Sequence, residues 1–104
     1  MRFNQTERLR RSREFEVNQS RLRANQIETM IDQFDRICVD LGQQINAEET
    51  RARISNPTHF AYPTYAKAAR ERRAKLQRSA DALRIELDKL RYEINEMANP
   101  QVAA

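Results

Sequence analysis

The sequence predicts an all-α protein, an antiparallel two-helix coiled-coil hairpin, on three observations. Apolar residues recur at heptad spacing on both sides of a single break, at alternating steps of three and four. Pro57 and Pro63 mark that break, and the one glycine leaves little material for other turns. The composition, 39% hydrophobic and 33% charged over 104 residues, suits a coiled coil, which buries only a narrow stripe of each helix. The chain is therefore expected to form one hairpin domain over residues 1–104.

The first helix is expected over about residues 5–52. Asn4 and Glu7, three residues apart, offer an N-cap and its reciprocal partner. Gly42 costs about 1 kcal/mol relative to alanine inside a helix, which the packing of its neighbours offsets. Cys38, the only cysteine, is expected to be a small buried side chain without a disulfide or a metal. The predicted apolar stripe, here called the seam, consists of Val17, Ala24, Ile27, Ile31, Phe34, Cys38, Leu41 and Ile45.

A proline-containing connection over residues 53–63 is expected to follow. Pro57 lacks a backbone donor and pushes Asn56 out of the helical conformation, so the first helix ends before it. The second helix is expected over about residues 64–98, with a frayed tail over 99–104. Its seam is predicted to contain Ala69, Leu76, Ala80, Leu83, Leu87, Leu90, Ile94 and Met97.

The pairing of the two seams follows from a turn centred near residue 58. It brings together residues whose numbers sum to 116–118, such as Leu41 with Leu76 and Phe34 with Leu83. The first helix then extends beyond the second, and residues 5–17, here called the overhang, have no partner helix. Because an isolated helix of a dozen residues is marginal in water, we expect the overhang to be mobile or ordered by a partner.

Positive charge is concentrated in two segments of a chain whose net charge is +4. Residues 1–23 carry seven Arg and three Glu, and residues 64–78 carry six basic residues and one acid. The basic residues of the second segment surround the helix, which favours a solvated or protein-facing surface over nucleic-acid binding. Candidate partner-binding residues are Arg8, Arg10, Arg11 and Arg13 in the first segment, and Lys67, Arg70 and Arg72 in the second.

Aromatic residues gather in and beside the connection. In one interpretation the rings cover the open end of the seam, and in the other they form an aromatic tip that inserts into a partner. The candidates there are Phe60, Tyr62 and Tyr65, next to His59. Four further apolar candidates occupy the heptad position that faces away from the partner helix, either by chance or as protein contacts. They are Phe15, Leu22, Ile85 and Tyr92.

Enzyme chemistry is not expected from this sequence. One glycine excludes a glycine-rich phosphate loop, and one histidine with a buried thiol offers no nucleophilic triad. Glu48 and Glu49 are expected to be surface charge rather than an acid–base pair. No catalytic residue, cofactor or metal is therefore expected. The absence of a long apolar segment and of a secretory signal predicts a cytosolic protein.

Three segments of the chain resemble the FliJ-type flagellar export proteins of alphaproteobacteria. They are His59–Arg70, Gln26–Ile31 and Arg78–Leu83. The first, HFAYPTYAKAAR, is the specific part, and the likeness covers most of residues 8–95. Pro100 departs from the family's longer second helix.

The resemblance implies an antiparallel coiled coil that is a soluble component of the flagellar type III export apparatus, similar in shape to the central stalk of rotary ATPases. It implies binding to the export ATPase ring, contact with the cytoplasmic domain of the export gate, and escort of export chaperones. Residues 8–23 and the end of the second helix are expected to enter the ring, and membrane association at the inner face is expected only through partners. Two alternatives stay open: a nucleic-acid-binding basic coiled coil and a homo-oligomeric structural coiled coil.

Overall fold

The chain folds as an all-α antiparallel two-helix hairpin, as the sequence predicts. The computed structural model describes residues 2–99, with side chains from residue 4 onward. Helix α1 is Arg2–Ala52 and helix α2 is Thr64–Ala98, and no β-strand occurs in that range. Neither helix has a stretch between residues 2 and 99 that is long and apolar enough to span a lipid bilayer.

The helix ends agree with the predicted ones except at the start of α1. This helix begins at Arg2 rather than near residue 5, so Asn4 lies inside it and is not its N-cap. An N-cap preference amounts to only about 1 kcal/mol, and nothing before Asn4 interrupts a helix. At the other end of the chain, the amide of Asn99 donates to the carbonyl of Asn95 at 2.9 Å. The rest of the predicted frayed tail, 100–104, lies outside the described residues.

Two compact units divide the chain, and each contains a segment of both helices. The terminal unit comprises Met1–Thr29 and Arg84–Ala104, and the central unit comprises Met30–Leu83. Each unit contains its own buried seam residues.

The central unit has a core built from predicted seam residues. Leu41, Ile45 and Ala69 are buried together, and Ile37 and Leu76 pack against them. The packing of Leu76 against the Leu41 cluster confirms the predicted proximity of these two leucines. In the same unit Ile31, Ala66 and Ala80 are also buried, and Phe34 and Leu83 are half-buried.

One seam position of the central unit is occupied by a charged residue, Arg73. The half-buried Cys38 thiol donates to the carbonyl oxygen of Arg73 at 3.8 Å, and its burial is less complete than predicted. The guanidinium of Arg73 lies 3.3 Å from the point where a Cβ on Gly42 would be. A glycine at position 42 therefore leaves room for the guanidinium of Arg73 beside α1.

The terminal unit has a second core of predicted seam residues. Val17, Ala24, Ile27 and Leu87 are buried, and Ile27 is fully inaccessible to solvent. Leu90, Ile94 and Met97 are half-buried. The heptad pattern therefore identifies the buried face correctly in both units, because only a spacing that alternates three and four stays on one side of a helix.

The pairing of the helices differs slightly from the predicted one. Four hydrogen bonds between side chains of α1 and α2, two in each unit, join residues whose numbers sum to 109 on one edge of the seam and 119 on the other. These values are centred on 114 rather than 116–118. The pairs are Gln44–Tyr65 and Glu49–Arg70 in the central unit, and Arg23–Glu86 and Glu28–Arg91 in the terminal unit.

A physical reason for the shift is visible in the central core. A centre at 114 places Ala69 opposite Ile45, in whose cluster it is buried. It also places Ala80 opposite Phe34, again a small residue opposite a large one. A small residue opposite a large one fills the space between two helices better than two leucines at the same level. The midpoint of the turn, from which the pairing was predicted, does not depend on the sizes of the facing side chains.

Candidate protein-binding surfaces

The connection begins with a hydrogen-bonded helix end. The amide of Ile54 donates to the carbonyl of Glu49, and the amide of Arg53 donates to the carbonyl of Thr50, both at 3.3 Å. Arg53 has a φ of 58°, in the left-handed region. This bond pattern is a Schellman motif, which normally places glycine at the left-handed position. Arginine there costs roughly 1–2 kcal/mol, and the absence of glycine is why the sequence did not predict the motif.

Two consecutive turns then fix the backbone up to α2. The amide and hydroxyl of Thr58 both donate to the side-chain oxygen of Asn56, at 3.0 and 2.8 Å. The amide of His59 donates to the Asn56 carbonyl, and the amide of Tyr62 donates to the His59 carbonyl, both at 3.0 Å. The ring nitrogen Nδ1 of His59 accepts the amide of Ala61 at 3.0 Å. Local hydrogen bonds therefore hold the whole connection in place.

The most exposed aromatic residue lies within these turns. Phe60 is 97% exposed, and its ring stacks on the ring of His59 with centroids 4.7 Å apart and planes inclined by 22°. We call His59 and Phe60 the tip. The tip matches the second interpretation of the aromatic residues, an apolar group presented to a partner.

Tyr62 behaves in the opposite way and matches the first interpretation. It is buried, and its hydroxyl donates to Oε2 of Glu49 at 2.7 Å. The same hydroxyl oxygen accepts a hydrogen bond from Nε of Arg70 at 2.7 Å, and Nη2 of Arg70 donates to Oε2 of Glu49 at 2.9 Å. We call Glu49, Tyr62 and Arg70 the clamp. It joins the end of α1, the connection and α2.

The clamp favours the charged forms of both ionisable groups. The hydrogen bond from Arg70, followed by that from Tyr62, lowers the pKa of Glu49 below its ordinary value. The hydrogen bond to Glu49 raises the pKa of Arg70 above its ordinary value. Glu49 was expected to be ordinary surface charge, but its side chain is only 13% exposed and is bound on two sides.

The remaining candidates near the connection lie at the surface. Tyr65 is more than half exposed, and its hydroxyl donates to Oε1 of Gln44 at 2.7 Å. Lys67 and Arg72 are exposed. Among the three basic candidates of α2, Arg70 is thus engaged within the hairpin, whereas Lys67 and Arg72 extend toward solvent.

The overhang is helical and exposed. All residues from 5 to 16 are exposed except the half-buried Glu7, and burial begins at Val17. Arg10 pairs with Glu7 and, at 2.8 Å, with Glu14, and Arg11 pairs with Glu7 at 3.2 Å. The hydrogen bond from Arg10 lowers the pKa of Glu7.

The four basic candidates of the overhang therefore fall into two pairs. The charges of Arg10 and Arg11 are partly neutralised by acids on the same helix. Arg8 and Arg13 are exposed and make no ion pair with the side chains described over residues 4–99. They are the charges most available to a partner, a distinction that the sequence pattern does not make.

A groove in the terminal unit follows the overhang to the end of α2. Its volume is about 700 Å³. Its walls combine apolar side chains with the aliphatic and charged parts of arginines. They include Leu9, Arg13, Val17, Arg21, Met97 and Ala98.

Exposed apolar residues occupy the outward heptad position of the terminal unit, as predicted. Each is more than half exposed. Two others of similar exposure, Leu9 and Val39, could not be predicted from the heptad pattern, because neither repeats at a seven-residue interval. The predicted ones are Phe15, Leu22, Ile85 and Tyr92.

Within the described part of the chain, His, Cys and acidic side chains nowhere form a group of three that could hold a metal ion. No protein-family model, curated protein or solved structure matches this chain.

Proposed function

We propose that this protein is a two-helix adapter of flagellar type III protein export. It binds the ring of the export ATPase and the cytoplasmic domain of the export gate, and it assists the delivery of export chaperones. It acts in the cytosol, reaches the inner membrane only through its partners, and has no catalytic activity or cofactor of its own.

The proposal rests on the exposure of the overhang. Between residues 5 and 16 the helix is exposed around almost its whole circumference, whereas the seam is buried from Val17 onward. A helix of this length gains little stability by itself, so a surface that covers it would supply the missing packing. Arg8 and Arg13, which pair with no acidic side chain among residues 4–99, favour an acidic partner surface.

The sequence resemblance of His59–Arg70 to FliJ-type proteins is what supports flagellar export as the system. In this segment Tyr62, Ala66 and Ala69 are buried and Arg70 closes the clamp, so a large part of the specific motif serves the hairpin itself. The resemblance therefore supports a shared fold first, and a shared place in flagellar export by extension.

An adapter without an active site acts through differential affinity. It shifts the assembly or the cycle of an ATPase ring only by the difference between its affinities for two states of that ring. Reciprocally, the state of the ring sets how tightly the adapter is held.

Charge reversal in the overhang tests the proposal. The variant Arg8→Glu with Arg13→Glu changes the two unpaired charges, and Lys67→Glu with Arg72→Glu is a control with the same change in net charge. Titration of the purified export ATPase should show weaker binding for the first variant only, with a difference that shrinks at high salt because the attraction is screened. Melting temperatures should stay nearly unchanged, because all four side chains are exposed.

Amide exchange and DNA binding complete the experiment. Exchange of the overhang should be fast in the free protein and slow with the ATPase bound. Duplex DNA should bind weakly at physiological salt. A nucleic-acid-binding coiled coil would instead be favoured by two results together. Both variants would bind the ATPase equally well, and the overhang variant would lose DNA binding that wild type shows. A concentration-dependent increase in mass would favour the homo-oligomer.

A further inference from the structure

We infer that the tip is a preformed knob that inserts Phe60 into an uncharged apolar pocket on a protein partner. This inference concerns a surface different from the overhang and does not depend on the flagellar assignment. It rests on the exposure of Phe60, the hydrogen bonds that fix its backbone, and the charge pattern around it.

The connection orders its backbone without burying the side chain that it presents. The turns through Asn56 and His59 and the clamp at Tyr62 leave the backbone around residue 60 little freedom. Phe60 itself stays 97% exposed. A flexible loop loses conformational entropy when it binds a partner, and the hydrogen bonds within this loop reduce that cost. Preorganisation of this kind increases affinity, and buried aromatic anchors dominate the energetics of many interfaces.

The charge pattern specifies the kind of pocket. Residues 54–66 contain no Asp, Glu, Lys or Arg, although 33% of the whole chain is charged. Nucleic acids and anionic membranes are recognised mainly through basic residues, which this stretch lacks. Stable membrane attachment also needs more buried apolar area than one ring supplies. A concave apolar site on a protein is the partner that fits a single neutral aromatic side chain.

His59 is a positioning residue for the knob. Its ring stacks on Phe60, while its Nδ1 accepts the amide of Ala61 and so fixes the direction of the imidazole. The imidazole therefore lies against one face of the Phe60 ring, and the rest of the ring is exposed.

The expected effect is large for Phe60 and small elsewhere. Burial of a phenylalanine ring corresponds to roughly 10- to 100-fold in affinity, so Phe60→Ala should weaken partner binding by about that factor. Val39→Ala is the control, since it removes an exposed apolar side chain that belongs to neither the tip nor the overhang. Both variants should melt at the wild-type temperature.

The first experiment places a photoreactive benzoylphenylalanine at position 60 of the protein in its native cells, with position 39 as the control site. The protein cross-linked specifically at position 60 is then purified. It is titrated with wild type, Phe60→Ala and Val39→Ala at about 0.05 and 0.5 M salt. The inference is supported if only Phe60→Ala weakens binding to the captured protein. The affinity of wild type should also change less than about threefold with salt, because neutral apolar contacts are little affected by ionic screening.

A double-mutant cycle tests the role of His59. His59→Ala should weaken binding of the same purified protein by about 3- to 10-fold, and should have no further effect in a Phe60→Ala background. A merely structural role would lower binding equally in both backgrounds.

Several outcomes would overturn the inference. One is a cross-link to a second copy of this chain, together with a dimer that Phe60→Ala dissociates. Another is binding to phosphatidylcholine–phosphatidylglycerol vesicles that Phe60→Ala abolishes. A third is equal affinity of the three proteins for the captured partner. Absence of any adduct specific to position 60 would do the same. The overhang experiment reports on the ATPase alone, so either proposal can fail while the other stands.

Discussion

The two units contain the same polar pair in different surroundings. Glu49–Arg70 in the central unit and Glu28–Arg91 in the terminal unit occupy equivalent heptad positions, three heptads apart in each helix. The side chains of Glu49 and Arg70 are 13% and 35% exposed, whereas those of Glu28 and Arg91 are 45% and 55% exposed. Heptad position is therefore not what distinguishes the pairs.

The difference comes from the connection. Tyr62 covers the central pair, bonds to both of its members, and places its ring centroid 5.8 Å from the guanidinium carbon of Arg70. The terminal pair has no such cover in the described structure, and water screens it from both sides. An ion pair at the edge of a coiled coil is therefore expected to contribute more to stability when a third group excludes water and fixes its geometry.

The largest expected effect belongs to the apolar core that both pairs flank. Ile27→Ala should lower the free energy of unfolding by about 2–4 kcal/mol, because it removes a fully buried side chain and leaves a cavity. Leu22→Ala, on the same helix but more than half exposed, is the control and should cost far less. Chemical denaturation measures both, and similar losses would mean that the buried face is misassigned.

The clamp should give the next largest effect. Tyr62→Phe deletes the hydroxyl that bonds Glu49 and Arg70 and should destabilise the protein by about 1–2 kcal/mol, since hydrogen bonds to charged groups are stronger than average. Tyr65→Phe deletes an exposed hydroxyl with a neutral partner, Gln44, and should have a smaller effect. If thermal melts show equal losses, the burial of Tyr62 contributes nothing to the clamp.

The same clamp predicts a pH dependence whose sign is fixed by Glu49. Its pKa is lowered in the folded protein, so its contribution to stability is present above the pKa of the unfolded carboxyl. That contribution is lost as the pH falls through the folded pKa. The stability difference between wild type and Glu49→Gln should therefore be full at pH 7 and shrink in acid. Taking a difference removes the parallel contribution of Glu7, whose pKa is also lowered.

The helices and the seam could be predicted because they depend on signals that the sequence contains directly. Heptad spacing identifies one face of a helix, and the proline before α2 restricts where a helix can run. The predicted end of α1 at residue 52 and the predicted span 64–98 for α2 agree with the structure for this reason.

The connection could be predicted only in part, because its details depend on three-dimensional fit. Phe60 and Tyr62 are both aromatic and two residues apart, but only Tyr62 has a hydroxyl, which bonds to Glu49 and Arg70. The left-handed Arg53 was not foreseeable either, since sequence patterns associate that conformation with glycine. The exact pairing of the helices likewise reflects how alanines fit against larger residues.

The smallest expected effect belongs to the exposed pair of the terminal unit. Glu28→Gln and Arg91→Gln should each change the free energy of unfolding by less than about 0.5 kcal/mol, because both side chains are solvated and pay side-chain entropy to meet. A double-mutant cycle on this pair should give a smaller coupling than the same cycle on Glu49 and Arg70, and high salt should abolish it first. Couplings of equal size would show that heptad position, and not the cover provided by Tyr62, determines the strength of these pairs. The cycle on Glu49 and Arg70 repeated in a Tyr62→Phe background then separates the two causes, because only the cover has changed while the heptad positions are the same.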